Sequence, residues 1–156
     1  MSKSLRRVEA ALHEAGLSVE IRETDDSART AEGAAAAVGC EVDQIAKSII
    51  FRGEESGHVV LFLTAGGNRV DPARATEIAG QPLGKADADL IRAETGFAIG
   101  GVAPVGHLRR IQAFVDPRLL EFDLVWAAAG TPRHVFAIAP ADLIRVTGAE
   151  KAAFTA

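Results

Sequence analysis

The run His58-Val59-Val60-Leu61-Phe62-Leu63-Thr64 is apolar at five consecutive positions. A strand with one face in water alternates apolar and polar side chains. This one has no polar face to offer, so it belongs in the middle of a sheet. It is preceded by the β-rich segment Lys47-Ser48-Ile49-Ile50-Phe51-Arg52 and a polar turn, Gly53 to Gly57. The two segments together predict a central β-hairpin.

The second constraint is the stretch Gly96-Phe97-Ala98-Ile99-Gly100-Gly101-Val102-Ala103-Pro104-Val105-Gly106-His107. Glycine loses the most backbone entropy on ordering and proline lacks a donor N–H, so this stretch is a loop. Its only charge-capable side chain is His107 and its flanks are apolar, which is unusual for a connection that merely crosses a surface. Such a loop brings bare main-chain N–H groups close to a phosphate, a carbonyl or a ribose, or else it is a wide turn.

The remaining elements follow from periodicity and caps. Ser4 caps a helix from Leu5 to Ala15 that ends at Gly16, with Leu5, Val8, Ala11, Leu12 and Ala15 on one face. Ser18 to Glu23 alternates as a short strand. Thr30 opens a second helix whose alanine-rich run, Ala34 to Val38, reads as close packing and stops at Gly39. Val42 to Ala46 is one helical turn. Asp71-Pro72 caps and starts a helix through Ala79, and another helix spans Asp87 to Glu94. Beyond the loop come strands at Ile111 to Val115, Leu124 to Ala128 and Val135 to Ile138, then a proline-started helix from Pro140 to Val146 that stops at Gly148. This irregular order lacks the strand–helix alternation of a doubly wound sheet. The expected fold is α+β, one domain over residues 1–156 with a curved, mixed, barrel-like sheet surrounded by helices.

Composition narrows the function. The chain has 17 Lys and Arg against 21 Asp and Glu, a net charge of -4. That argues against coating nucleic acid through a broad basic face, and no helix-turn-helix or long basic helix points to sequence-specific DNA binding. The one cysteine, Cys40, excludes an internal disulfide framework and a thiolate metal cluster, and it places the chain in a reducing cytoplasm. No apolar run approaches the roughly 20 residues that span a bilayer.

Several spaced blocks then carry a family likeness: Thr30-Ala31-Glu32 opening the alanine-rich helix, Gln44 to Arg52, Arg69-Val70-Asp71, Gly100 to Gly106, and Ala139 to Leu143 with Thr147-Gly148-Ala149. In this order they resemble the YbaK and prolyl-tRNA-synthetase-associated editing domains, over roughly residues 30–149. The resemblance implies a freestanding aminoacyl-tRNA deacylase that hydrolyses the ester between a wrong amino acid and the 3′-terminal adenosine. It implies Lys47 as the family's marked lysine and Gly100 through Pro104 as its G-x-x-x-P loop, with no metal and no cofactor. The substrate's own ribose hydroxyl is expected to assist.

The chemistry is consistent with that likeness. An aminoacyl ester is already activated, so it needs a positioned water and a stabilised oxyanion more than a strong nucleophile. Lys47 can hold the ester carbonyl or the terminal phosphate as a point charge, while N–H groups of Gly100 and Gly101 face the carbonyl or the water. Ser48, Val102, Ala103, Pro104, Gly130 and His134 are the expected substrate-binding residues. Arg52, Arg69, His107, Arg109, Arg110 and Arg133 are the expected contacts to the acceptor end of the tRNA. Asp71 reads as a helix cap rather than a catalytic carboxylate, and His13 and His58 as surface residues. Alanine, serine, cysteine and threonine esters are all candidate substrates, and transient contact with a synthetase fits a domain acting on mischarged tRNA. A binding module that keeps the same cleft to hold a tRNA end, a nucleotide or a synthetase without turnover is the alternative.

Overall fold

The computed structural model describes residues 2–156. Its first helix, α1 (Lys3–Glu14), is capped by Ser2, whose hydroxyl accepts the Leu5 N–H at 3.0 Å, two residues before the expected cap. Its buried stripe is Leu5, Val8 and Leu12, the spacing of one helical face. The following strand, β1, is confined to Ile21–Glu23. A 3₁₀ turn at Asp26–Arg29 leads into α2 (Ala31–Val38), which Thr30 caps and left-handed Gly39 ends as expected.

The hairpin lies where the apolar run requires it. Strands β2 (Ala46–Gly53) and β3 (Val59–Ala65) pair antiparallel, and every residue of β3 is buried. Then follow α3 (Pro72–Ala79), β4 (Leu83–Lys85), α4 (Ala88–Thr95) and β5 (Gln112–Val115). The chain continues through β6 (Val125–Ala128), β7 (His134–Ile138), α5 (Pro140–Thr147) and β8 (Glu150–Lys151).

These strands form two sheets, not one barrel-like sheet. The larger has the order β4-β2-β3-β5-β8 and the smaller β1-β7-β6. Pairing of β3 with β5 and of β5 with β8 is parallel and the rest antiparallel, so the α+β, mixed character holds. The barrel does not close: the two sheets are joined here by one isolated parallel bridge, from Ile45, just before β2, to Trp126 of β6. Beyond it the strands separate, and side chains from α2 and the glycine loop line the space between them.

Because β3 is central, apolar residues pack on both of its faces. Leu61 and Leu63 join α1 and the smaller sheet through Val8, Leu12, Val125 and Phe136. Phe62, on the other face, stacks on Phe114 at 5.3 Å between ring centres and meets Phe154 edge-on at 4.9 Å. Among the described residues no helix is long and apolar enough to cross a membrane.

Candidate functional site

The gap between the sheets is a cleft of about 410 Å³. One side is β2 from Ala46 to Ile50, and the other is the end of β6 from Trp126 to Ala128. Ala31 and Ala34 of α2 wall it, Ile99, Gly100 and Val102 of the glycine loop cover it, and Arg29 stands at its rim. The alanine face of α2 is therefore more than packing: its short side chains leave the cleft its width.

Lys47 sits on β2 opposite Thr64, and its Nζ donates to the Asn68 carbonyl at 2.7 Å. Partial burial holds its pKa below the usual lysine value, and Arg69 pushes the same way against Glu32, Asp116 and Asp43. The turn that receives Lys47 is itself pinned. Asp116, 2% exposed, accepts the Ala65 N–H at 3.1 Å and the Asn68 side-chain amide at 2.9 Å. Asp43 accepts the Gly67 N–H at 2.8 Å and the Arg118 Nε–H at 2.9 Å. A Cβ at Gly66 would stand 2.1 Å from the Val42 carbonyl oxygen, so the turn lies flush on the 3₁₀ turn Val42–Gln44. The lysine is thus a cation with a fixed anchor.

The glycine loop is pinned from behind by α1. Arg7 donates to the Gly106 carbonyl at 2.7 Å and to the Gly96 carbonyl at 2.8 Å, and its guanidinium lies 4.4 Å from the centre of the Phe97 ring. Gly100 has φ +94°, a backbone that favours glycine. At Gly101 the reason for glycine is space, since a Cβ would lie 2.8 Å from Thr131 Cα. The Gly101 N–H is also occupied, closing a turn onto the Ala98 carbonyl at 3.1 Å. Of the two N–H groups expected to face a substrate, only that of Gly100 makes no main-chain bond among the described residues.

The cleft brings together Lys47, Ser48, Gly100 and Val102 of the expected site. The others lie elsewhere. Ala103 is fully buried behind the loop, and Pro104 lines a separate depression on the far side with His107 and Arg110. Gly130 packs against α1, where a Cβ would meet the Ser4 carbonyl at 2.8 Å. His134 bonds the Thr131 hydroxyl at 2.7 Å, and its neighbour Val135 lines the cleft in its place.

The expected tRNA contacts divide in the same way. His107 turns inward to the Ala103 carbonyl at 2.7 Å, with its pKa lowered mainly by burial, so it serves the loop. Arg109 sits 3.5 Å from the Glu94 carboxylate beside His58, and Arg52 pairs with Glu54 at 3.1 Å. Arg133 pairs with Asp26 at 3.0 Å. Arg69 is exposed and close enough to Lys47 to depress its pKa.

Arg29 and Trp126 were not anticipated in the cleft, nor Arg7, Asp43 and Asp116 behind it. A regular signal existed only for Asp116, which precedes Pro117 and caps a 3₁₀ turn. Cys40 does not line the cleft, and burial, then Glu41, raises the pKa of its thiol.

The structure thus defines an α+β protein with a mostly apolar cleft between two sheets, lined by one anchored lysine and a glycine loop. Comparison with known proteins makes the class specific. The aminoacyl-tRNA editing domain profile matches residues 25–146, and the chain belongs to that family. A solved structure described as a candidate trans-editing enzyme for prolyl-tRNA synthetase is 46% identical, with a TM-score of 0.92 over 100% of this chain and 99% of that one. The structure of hypothetical protein APE2540 is 29% identical, with a TM-score of 0.86 over 96% of this chain and 99% of that one. YwhH, an uncharacterised protein of Bacillus subtilis (strain 168), is 30% identical over 124 residues, 80% of this chain and 78% of that protein.

Proposed function

We propose that this chain acts in trans as a hydrolase of mischarged aminoacyl-tRNA, cleaving the ester of a small amino acid at the 3′-terminal adenosine. The observation that carries the reading is Lys47, anchored on the Asn68 carbonyl, lining one apolar cleft with Gly100, whose N–H makes no main-chain bond among the described residues. A water attacks the ester carbonyl carbon, negative charge builds on the carbonyl oxygen, and the ribose oxygen leaves with a proton. Lys47 and the Gly100 N–H stabilise the developing charge, and the adjacent ribose hydroxyl guides the water. The small walls exclude larger amino acids, a discrimination of about 1–3 kcal/mol per methylene. The acceptor end of the tRNA is the partner, held near Lys47 by Arg29 and Arg69, and a synthetase meets the domain transiently.

The test is deacylation of preformed tRNAs carrying alanine, serine, cysteine, threonine or proline, by the wild-type protein and by Lys47→Ala, in the presence of a chelator. One or two esters are expected to be lost, at rates that fall about 100-fold in the variant, the scale of removing one oxyanion donor. Wild-type rates in Lys47→Ala would overturn the mechanism. Hydrolysis of no ester would leave the cleft as a binding module.

A further inference from the structure

The cleft is bordered by main chain as much as by side chains. Five consecutive residues of β2, Ala46 to Ile50, line it, although side chains of neighbouring strand residues point to opposite faces. Only a strand edge presents such a run. The direction of that edge follows from the hairpin: Gly53 N–H donates to the His58 carbonyl at 2.8 Å, while Glu54 N–H donates to the Pro82 carbonyl at 2.8 Å on the other side. Antiparallel pairing alternates, so Lys47, Ile49 and Phe51 direct their N–H and C=O groups to β3. Ser48 and Ile50 direct theirs away from β3. There β4 covers only Phe51–Gly53, and the cleft begins.

Strand β6 mirrors this arrangement. Ala129 N–H donates to the His134 carbonyl at 2.9 Å, so the odd positions of β6 face β7 and Ala128 directs its main chain outward to the cleft. Ser48 adds one more group. Its Oγ is buried without a hydrogen-bond partner. The cleft lining contains Arg29 and Lys47 but, among the described residues, no Asp or Glu.

From these observations we infer that the α-amino group of the aminoacyl ester is recognised by the main-chain carbonyls of the two free strand edges, at Ser48 and Ile50 on β2 and Ala128 on β6. Every aminoacyl ester carries this donor whatever its side chain, and with no carboxylate in the lining the acceptors open to an amine are main-chain carbonyls and the hydroxyls of Ser48 and Thr30, the latter already accepting the Gly33 N–H. An analogue that fits but lacks the amine leaves those acceptors dry and unpaired, which is where strong rejection arises. The inference rests on the editing reading for the identity of the ligand.

The experiment compares two non-hydrolysable probes by calorimetry: 3′-deoxy-3′-(L-alanylamino)adenosine and its 3′-propionylamino counterpart, which differ only by the amine. The alanyl probe is expected to bind at least about tenfold more tightly and to shift the amide resonances of Ser48, Ile50 and Ala128. Equal affinities, or binding of neither probe, would overturn the inference. Ester hydrolysis measured in parallel separates the two ideas. Discrimination by the amine without hydrolysis of any ester would sink the editing reading alone, and hydrolysis with equal probe affinities would sink this inference alone.

Discussion

Lys47 combines two demands that oppose each other. Burial brings its charge close to the reacting group and at the same time lowers its pKa. A lysine is charged below its pKa, so a depressed value ends its usefulness earlier as pH rises. After subtraction of spontaneous ester hydrolysis, the enzymatic rate is expected to fall on an alkaline limb beginning below the ordinary lysine value of about 10.4. A rate flat through that region would remove the ammonium from the mechanism. Gly101 makes a different demand, for space. In Gly101→Ala the new methyl meets Thr131 backbone at under 3 Å, so the loop shifts. The expected cost is about 1–3 kcal/mol in a denaturant titration, together with reduced deacylation.

At the level of elements, the loop over the cleft owes its shape to a helix that reads in the sequence as plain scaffold. Arg7→Ala removes two charge-assisted hydrogen bonds to Gly96 and Gly106 and the guanidinium over Phe97. A loss of about 2–3 kcal/mol is expected in thermal or urea unfolding. Deacylation should weaken further than stability alone explains, since the loop carries Gly100. The hairpin, the glycine loop and the capped helices α2, α3 and α5 were legible because each rests on local signals: a continuous apolar run, glycine and proline density, and cap residues. Strands β4 and β8 were not, because three residues around Gly84 and two residues at Glu150–Lys151 are too short for any period to show. Lys47, Ser48, Gly100 and Val102 could be placed together from the family's blocks. Arg7, Asp116 and the free edges could not, because they depend on partners about 50–100 residues away or on strand register.

The whole molecule is held by a core on either side of β3, and the end of the chain belongs to that core. Phe154 is fully buried against Phe62, and its carbonyl accepts the Asp71 N–H at 2.8 Å. Phe154→Ala is expected to cost about 3–5 kcal/mol of unfolding free energy, read from the urea midpoint at unchanged slope. A cost under 1 kcal/mol would show that the tail docks without supporting the core. The alanine wall of α2 has a consequence of its own. Ala31 and Ala34 border the cleft from α2; Ala34 is buried in a cluster with Ile45 and Trp126, while Ala31 is only half-buried. Adding one or two carbons at Ala31 would reduce the room for a guest by a comparable amount while leaving Lys47 and the strand edges in place. The upper size limit of what this cleft admits can therefore drift in small steps between descendants of one ancestor, with the machinery around it inherited intact.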